Sequence, residues 1–369
     1  MKIPFFPLQL VALLLVVSAC NTNNGDNYTL AGHIDNGGQP GSVMLYEGET
    51  LIDSIAVDKN GKFSMTGTTP EPILLEVRIE QQSYMLVLGN GENVELQVDM
   101  DKPAQYTVKG SETSAKLKEA VTMRDEFQEQ QMGLQKEFEQ RLGNGEDRAV
   151  VQQELIAKHE RFTDELAEKI LQFSADNTDN LAGFFGMLVL YSVDPEGHEQ
   201  ELVAYAEKAK ERFPQNETVQ SFALHMAEIK PLSVGQPAPD FNSEMPDGTP
   251  VKLSDLRGQY VLVDFWAAWC TPCRHENPNI VAQYHQFKDS GFTVLGVSLD
   301  RDRNAWLKAI EDDQLEWTHV SDLKMWESEV GRLYNITAIP ASFMIDPDGK
   351  IVAKNLRGPA LGQFLERTL

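Results

Sequence analysis

An α/β domain with a mixed sheet, preceded by an antiparallel β-sandwich-like domain and a helical segment, is the fold class that the 369-residue sequence predicts. Three observations predict it. Short alternating runs divided by turn residues fill positions 28–110. Apolar residues at steps of three and four fill 111–230, and apolar strands alternate with helical patterns over 231–369. The length exceeds one ordinary domain. Hydrophobic residues make up 41% of the chain, enough for real cores. With 32 basic against 56 acidic residues the net charge is -24, a surface that repels phosphate backbones and argues against nucleic acid as a partner.

The first nineteen residues read as a signal, not as fold. Lys2 gives a positive start, Leu8 to Val17 is apolar except for Gln9, and small residues follow in Val17-Ser18-Ala19-Cys20. A spanning helix needs about 20 apolar residues, more than this run offers. Val-Ser-Ala-Cys resembles the lipobox of bacterial lipoproteins. That resemblance implies export, lipidation of Cys20 as the mature N-terminus, and a protein anchored to a bacterial membrane and facing the periplasm. Residues 20–27 are polar and fit a tether. Lipidation would also settle the cysteine arithmetic: of the three cysteines, Cys20, Cys270 and Cys273, one close pair remains, and none is left for a structural staple.

Within 28–110 the strand-like runs are Val43–Tyr46, Ile73–Ile79, Tyr84–Leu88 and the alternating Val94–Val98. Turns fall at Asn36-Gly37-Gly38, Lys59-Asn60-Gly61 and Gly89-Asn90-Gly91. No catalytic constellation occurs here. Within 111–230, Ser111-Glu112-Thr113-Ser114 reads as a helix start. Leu155, His159, Phe162, Leu166, Ile170 and Phe173 make one apolar stripe, and Val219, Phe222, Met226 and Ile229 another. Gly143-Asn144-Gly145 and Asp194–Gly197 break the segment into separate helices. His159, on the stripe, reads as a core or boundary histidine, and no histidine shows metal-ligand spacing. Pro231 to Pro239 is a linker by composition. Beyond it, Gln259–Phe265 and Gly291–Ser298 read as buried strands. An Asp348-Gly349 turn joins Ala341–Ile345 to Ile351–Ala353 as a hairpin, and Pro359–Leu369 reads as an amphipathic helix.

The chemistry concentrates in Val261-Leu262-Val263-Asp264-Phe265-Trp266-Ala267-Ala268-Trp269-Cys270-Thr271-Pro272-Cys273. A buried strand ends, and a helix begins at a Cys-x-x-Cys. Helix N-termini present unpaired N–H groups and partial positive charge, which stabilise a thiolate at the first Cys. The spacing lets the second Cys reach back across one turn. Pro272 sits in the first turn, where a missing N–H costs little. Zinc would need further ligands, and no second pair exists. A c-type haem would need His directly after the second Cys, where Arg274 stands. Asp264 interrupts an apolar strand, so it is expected to be buried, with its pKa raised toward the range useful for proton transfer. Glu276, three residues after Cys273, shares its helix face. Arg274 and His275 are further charged neighbours of the pair.

Asp-Phe-Trp-Ala-x-Trp-Cys-x-Pro-Cys resembles the active-site signature of thioredoxins. Val234-Gly235-Gln236-Pro237-Ala238-Pro239-Asp240-Phe241 resembles the opening segment of the TlpA/ResA-like branch, shared with peroxiredoxins. Thr337-Ala338-Ile339-Pro340 followed by Phe343 resembles the loop that holds the family's cis-proline. The resemblance covers 233–369 and implies a thioredoxin fold with the central insertion of that branch. It implies that Cys270 attacks and Cys273 resolves the mixed disulfide. It also implies that Asp264 takes the resolving proton, and that Glu276 lies near the site. Trp269, Ile339 and Pro340 would dock the partner chain, while Thr271 and Pro272 tune the potential. The 28–110 region in turn resembles the β-rich modules that precede thioredoxin domains in some bacterial lipoproteins.

The function expected is reduction of disulfides in exported proteins. Reduction of cytochrome c apoprotein cysteines is one route known for the branch. The partners expected are protein thiols and disulfides, a membrane or periplasmic electron donor, and the membrane through the lipid. No metal and no cofactor beyond the redox-active Cys270–Cys273 disulfide is expected. Alternatives are a disulfide isomerase or oxidase, a scaffold without redox activity, and a peroxidase. The last needs Thr or Ser three residues before its reactive Cys, where Ala267 stands.

Overall fold

Two four-stranded sheets face each other in the first part of the chain, with their alternating apolar residues turned inward. The computed structural model describes residues 25–37 and 41–369. The signal, the lipobox with Cys20, most of the tether, and Gly38 of the first turn therefore lie outside the described residues. The described chain falls into two compact units that part between Lys118 and Glu119.

In the first unit the strands are β1 (Tyr28–Asp35), β2 (Ser42–Glu47), β3 (Thr50–Ala56), β4 (Lys62–Gly67), β5 (Ile73–Ile79), β6 (Gln82–Leu88), β7 (Asn93–Asp99) and β8 (Thr107–Lys109). They are ordered β4-β1-β7-β8 in one sheet and β3-β2-β5-β6 in the other. Leu30, Val94 and Leu96 from the first meet Val43, Leu45, Leu75, Val77 and Leu86 from the second in one core. Burying each such side chain contributes roughly 1.5–3 kcal/mol. The pairing is antiparallel except between β1 and β7, which run parallel in register Leu30 to Val94. Strands β1, β3, β4 and β8 are absent from the sequence reading. β3 is almost wholly exposed, so no buried alternation marks it.

Five α-helices follow: α1 (Glu112–Gly143), α2 (Arg148–Asp176), α3 (Leu181–Val193), α4 (Glu199–Arg212) and α5 (Glu217–Ile229). The starts of α2, α3 and α5 are capped by side chains. Asp147 accepts from the N–H groups of Ala149 and Val150, Asn180 from Ala182 and Gly183, and Asn216 from Val219. The breaks at Gly143–Gly145 and Asp194–Gly197 fall between helices, as read. The stripe Leu155, Leu166, Ile170 and Phe173 is buried. Of the two places read for His159, core or boundary, it takes the boundary. It is exposed on the rim of the stripe, and its Nδ1 lies 2.8 Å from the side-chain oxygen of Gln131.

Residues 231–239 do not form a free linker. Leu232, Ser233 and Ala238 are buried. The N–H groups of Gly235 and Ala238 donate to the carbonyls of Ile351 and Gly349, and the Ile351 N–H donates back to Gln236. Prolines suggested a spacer, but the other backbone groups pair with the β14–β15 hairpin, through these bonds and one isolated bridge between Pro237 and Lys350.

The remainder holds β9 (Asn242–Glu244), β10 (Pro250–Lys252), β11 (Tyr260–Trp266), α6 (Thr271–Phe287), β12 (Phe292–Ser298) and α7 (Arg303–Asp312). After them come β13 (Thr318–Val320), α8 (Glu329–Leu333), β14 (Ala341–Ile345), β15 (Ile351–Lys354) and α9 (Pro359–Thr368). A mixed five-stranded sheet runs β13-β12-β11-β14-β15. β11, β12 and β13 are parallel, and β14 and β15 antiparallel. This is the thioredoxin fold. The β14–β15 turn contains Gly349 at φ +87°, where a side chain would be strained. Both faces of the sheet are covered. Val261, Val263 and Phe265 face a cluster with Phe241, Tyr334 and Phe343. Leu262 and Trp266 face one built with α6 and α9 through Ile280, Leu361 and Leu365. Asp264, midway between Leu262 and Trp266, shares their face because strand side chains alternate.

Candidate active site

β11 ends at Trp266, and the chain turns through Ala267–Trp269 to start α6 at Thr271. Cys270 is the N-cap of that helix. Its Sγ accepts from the Cys273 N–H at 3.2 Å, a place usually taken by Ser, Thr or Asp oxygen. Thr271 and Pro272 are exposed in the first turn. Cys270 and Cys273 are joined as a disulfide, with Cα atoms 5.3 Å apart. Little of either is accessible, 4% of Cys270 and 2% of Cys273.

The turn before the pair is held from behind. Asp300, buried just beyond β12, accepts from the Ala268 N–H at 2.9 Å and the Ser298 hydroxyl at 2.8 Å. Burial pushes its carboxyl pKa up. The sequence reading passed over Asp300, although its signal was like that of Asp264: a carboxylate at the end of an apolar strand. Arg274 is turned to structure. Its guanidinium donates to both oxygens of Asp313 and to the Ala268 carbonyl, while Asn277 donates to the same carboxylate. His275 is exposed.

Asp264 is buried on the sheet face that carries Cys273 in its core cluster. Loss of water raises its pKa to about 7, the Glu276 carboxylate nearby adds to the rise, and Arg357 opposes it. Glu276 is itself engaged. Its Oε1 accepts from the Gly358 N–H at 2.7 Å and from Asn279 at 2.6 Å. Asn279 also donates to the Gly358 carbonyl. The next residue back, Arg357, donates to the Pro340 carbonyl. One chain of hydrogen bonds thus runs from α6 to the proline loop. Nothing local in sequence marks Arg357 or Gly358 for this, because both lie far along the chain from their partners.

The Ile339–Pro340 peptide bond is cis. Phe265 pairs with Ala341, which brings Pro340 level with Trp266 at the sheet end where the cysteine turn starts. Ile339 packs against the cluster that contains both cysteines. Trp269 is 46% exposed beside the pair, and its ring meets Trp326, 44% exposed, at 5.9 Å. Trp326 was not singled out from sequence. It follows Leu323 and Met325, both at positive φ, in a segment that Asp322 holds through the N–H groups of Lys324 and Glu329. The expected residues Cys270, Cys273, Asp264, Glu276, Trp269, Ile339 and Pro340 therefore gather at one end of the sheet. Among the described residues no group of three or more His, Cys, Asp or Glu is placed to hold a metal ion, and no helix is long and apolar enough to cross a membrane.

A family model described as the AhpC/TSA family matches residues 234–354, and one for a domain of unknown function, DUF4369, matches 28–117. Thiol-disulfide oxidoreductase ResA of Bacillus subtilis (strain 168) is 32% identical over 121 residues, 33% of this chain and 66% of that protein. This chain thus spans just under two thirds of that relative. ResA of Geobacillus kaustophilus (strain HTA426) is 32% identical over 138 residues, 37% of this chain and 77% of the relative. The crystal structure of the thioredoxin domain of a thiol-disulfide oxidoreductase from Bacteroides vulgatus is 43% identical, with a TM-score of 0.35, and the match covers 37% of this chain and 97% of that one. The strand that delivers a Cys-x-x-Cys to a helix N-terminus lies within the region matched by the ResA relatives, and identity of 32% over 77% of the Geobacillus kaustophilus protein shows the family: through its C-terminal domain, the chain belongs to the ResA/TlpA-like family of thiol–disulfide oxidoreductases.

Proposed function

We propose that the protein is a membrane-tethered thiol–disulfide oxidoreductase that reduces disulfides of exported proteins through Cys270 and Cys273. The observation that carries the reading is Cys270 at the N-cap of α6, bonded to Cys273, with a buried carboxylate behind the pair. N–H groups of the first turn stabilise negative charge on the reduced Cys270. Its thiolate attacks one sulfur of a substrate disulfide, and the other substrate sulfur leaves as a thiolate that takes up a proton. Cys273 then loses its proton, and its sulfur attacks Cys270 Sγ. The Cys270–Cys273 disulfide forms as the second substrate thiolate departs. Two electrons pass to the substrate, and an exported or membrane electron donor restores the dithiol. Asp264, with a pKa of about 7, is suited to accept the Cys273 proton near neutral pH. No cofactor enters this cycle. Export and lipidation of Cys20 rest on the signal and lipobox pattern.

Reduction of insulin disulfides, followed as turbidity, tests the reading. Wild type is active and Cys270→Ser is inactive; activity that survives Cys270→Ser sinks it. The AhpC/TSA match also raises a peroxidase, but Ala267 supplies no hydroxyl three residues before Cys270. Consumption of hydrogen peroxide by the wild type would overturn that judgement.

A further inference from the structure

The helices α3–α5 and the proline loop enclose a cleft of about 510 Å³, a size that suits a bound side chain or small ligand. Its two walls are locked together. Lys354 of β15 pairs with Glu199 of α4, with little of either side chain exposed. Asn355 donates to Glu196 at 2.8 Å, and Gln200 donates to the Val234 carbonyl at 2.8 Å. The cleft is therefore a built feature of this unit.

Three observations point to a polypeptide as the occupant. First, Thr337, Ala338 and Ile339, just before Pro340, make no backbone hydrogen bond among the described residues, and Thr337 and Ala338 are exposed. Unpaired main chain of this kind is a template for an added extended strand. Second, Glu199, 9% exposed, keeps Oε1 without a hydrogen-bond partner while Oε2 takes Lys354. A buried acceptor is completed by a donor such as a main-chain N–H. Third, the cleft continues up to Pro340 and Ala341, and so toward the sheet end where Cys270 lies.

The lining decides the side chain. Glu196 and Glu199 are balanced by Lys354 and Arg357, so no net charge selects an ion. Met226 and Ile229 of α5 supply apolar surface, and a Tyr191–His225 hydrogen bond of 2.7 Å stiffens the rim. We infer that α3–α5 form the far wall of a substrate subsite, which takes a large apolar side chain of the extended polypeptide that presents its disulfide to Cys270. This rests on the oxidoreductase reading and assigns the helical segment to substrate selection.

A cross-linking experiment tests it. The full chain carrying Cys20→Ser and Cys273→Ser has Cys270 as its one thiol. A synthetic peptide whose cysteine is activated with thionitrobenzoate, and which carries benzoylphenylalanine two residues away, is added. Cys270 displaces the coloured thiolate and keeps the peptide as a mixed disulfide. On irradiation, cross-links between residues 191 and 229 support the inference, and cross-links confined to residues 233–369 overturn it. If no mixed disulfide forms, the oxidoreductase reading fails and this inference fails with it. A second measurement uses Ile229→Trp, which fills the cleft at a half-buried position. The ratio of kcat/KM for an apolar peptide disulfide to that for Ellman's reagent drops about tenfold; a ratio equal to wild type overturns the inference.

Discussion

Two buried titrating groups of opposite sign lie in the thioredoxin domain, and replacing one should uncover the other. Asp264 has its pKa raised from 3.8 to about 7. Between those values the folded protein holds a proton that the unfolded chain has released. Its contribution to stability is full below the lower value, falls as pH rises, and is lost by the upper one. At 1.36 kcal/mol per unit, the roughly three-unit gap is worth about 4 kcal/mol. His319 behaves in the opposite way. It packs between Trp266 and Trp317, with centroids at 5.5 and 5.7 Å, and burial lowers its pKa from 6.5 to about 4 despite the nearby Leu315 carbonyl. Over that window the unfolded chain binds the extra proton, so stability rises with pH by about 3 kcal/mol in all. The two slopes nearly cancel in the wild type. From pH 5 to 7, Asp264→Asn should therefore gain about 2–3 kcal/mol on the wild type, and His319→Gln should lose about 2 kcal/mol against it up to pH 6.5. The assay is urea unfolding of the oxidised protein followed by tryptophan fluorescence. All five tryptophans lie between 266 and 326, so this domain alone reports. Variants whose stability runs parallel to wild type across pH 5 to 7 would refute the reasoning. Asp264→Asn should at the same time slow insulin reduction, because the variant cannot accept the Cys273 proton.

Three further outcomes follow from packing and hydrogen bonding. A Cβ on Gly296 would stand 2.3 Å from Nδ1 of His319 and 3.2 Å from Nε1 of Trp266, so Gly296→Ala should cost about 1–3 kcal/mol of unfolding free energy. Wild-type stability in that variant would show that the His319 ring moves freely. Asp300→Ala leaves the Ala268 N–H without its acceptor; the expected loss is about 1–3 kcal/mol, read by the same unfolding assay. Glu276→Gln keeps an oxygen for the Gly358 N–H but removes the like charge near Asp264. The Asp264 carboxyl midpoint, read by NMR titration, should move down while staying well above an exposed aspartate, because burial is its larger cause.

Local order and local chemistry were legible from sequence. Ile73–Ile79 could be named as a strand because Leu75, Val77 and Ile79 alternate with Glu76 and Arg78, and α9 because its apolar positions keep one face. The cysteine turn was legible for the same reason: strand, N-cap position and helix are contiguous, and neighbours in sequence are neighbours in space. Asp264 stood out because a carboxylate within an apolar run must be buried if the run is.

Other features belong to tertiary structure, because they join residues that no local pattern relates. The parallel β1–β7 pair needs a return across the whole sandwich. Residues 231–239 are held in place only because the β14–β15 hairpin offers their backbone groups partners. Arg357 reaches Pro340, Gly358 reaches Glu276, and Lys354 reaches Glu199 only after the sheet and helices have closed. Composition and periodicity state what each segment must bury. Which distant segment meets it is decided by packing, since burial is non-directional and only the assembled shape selects the partner.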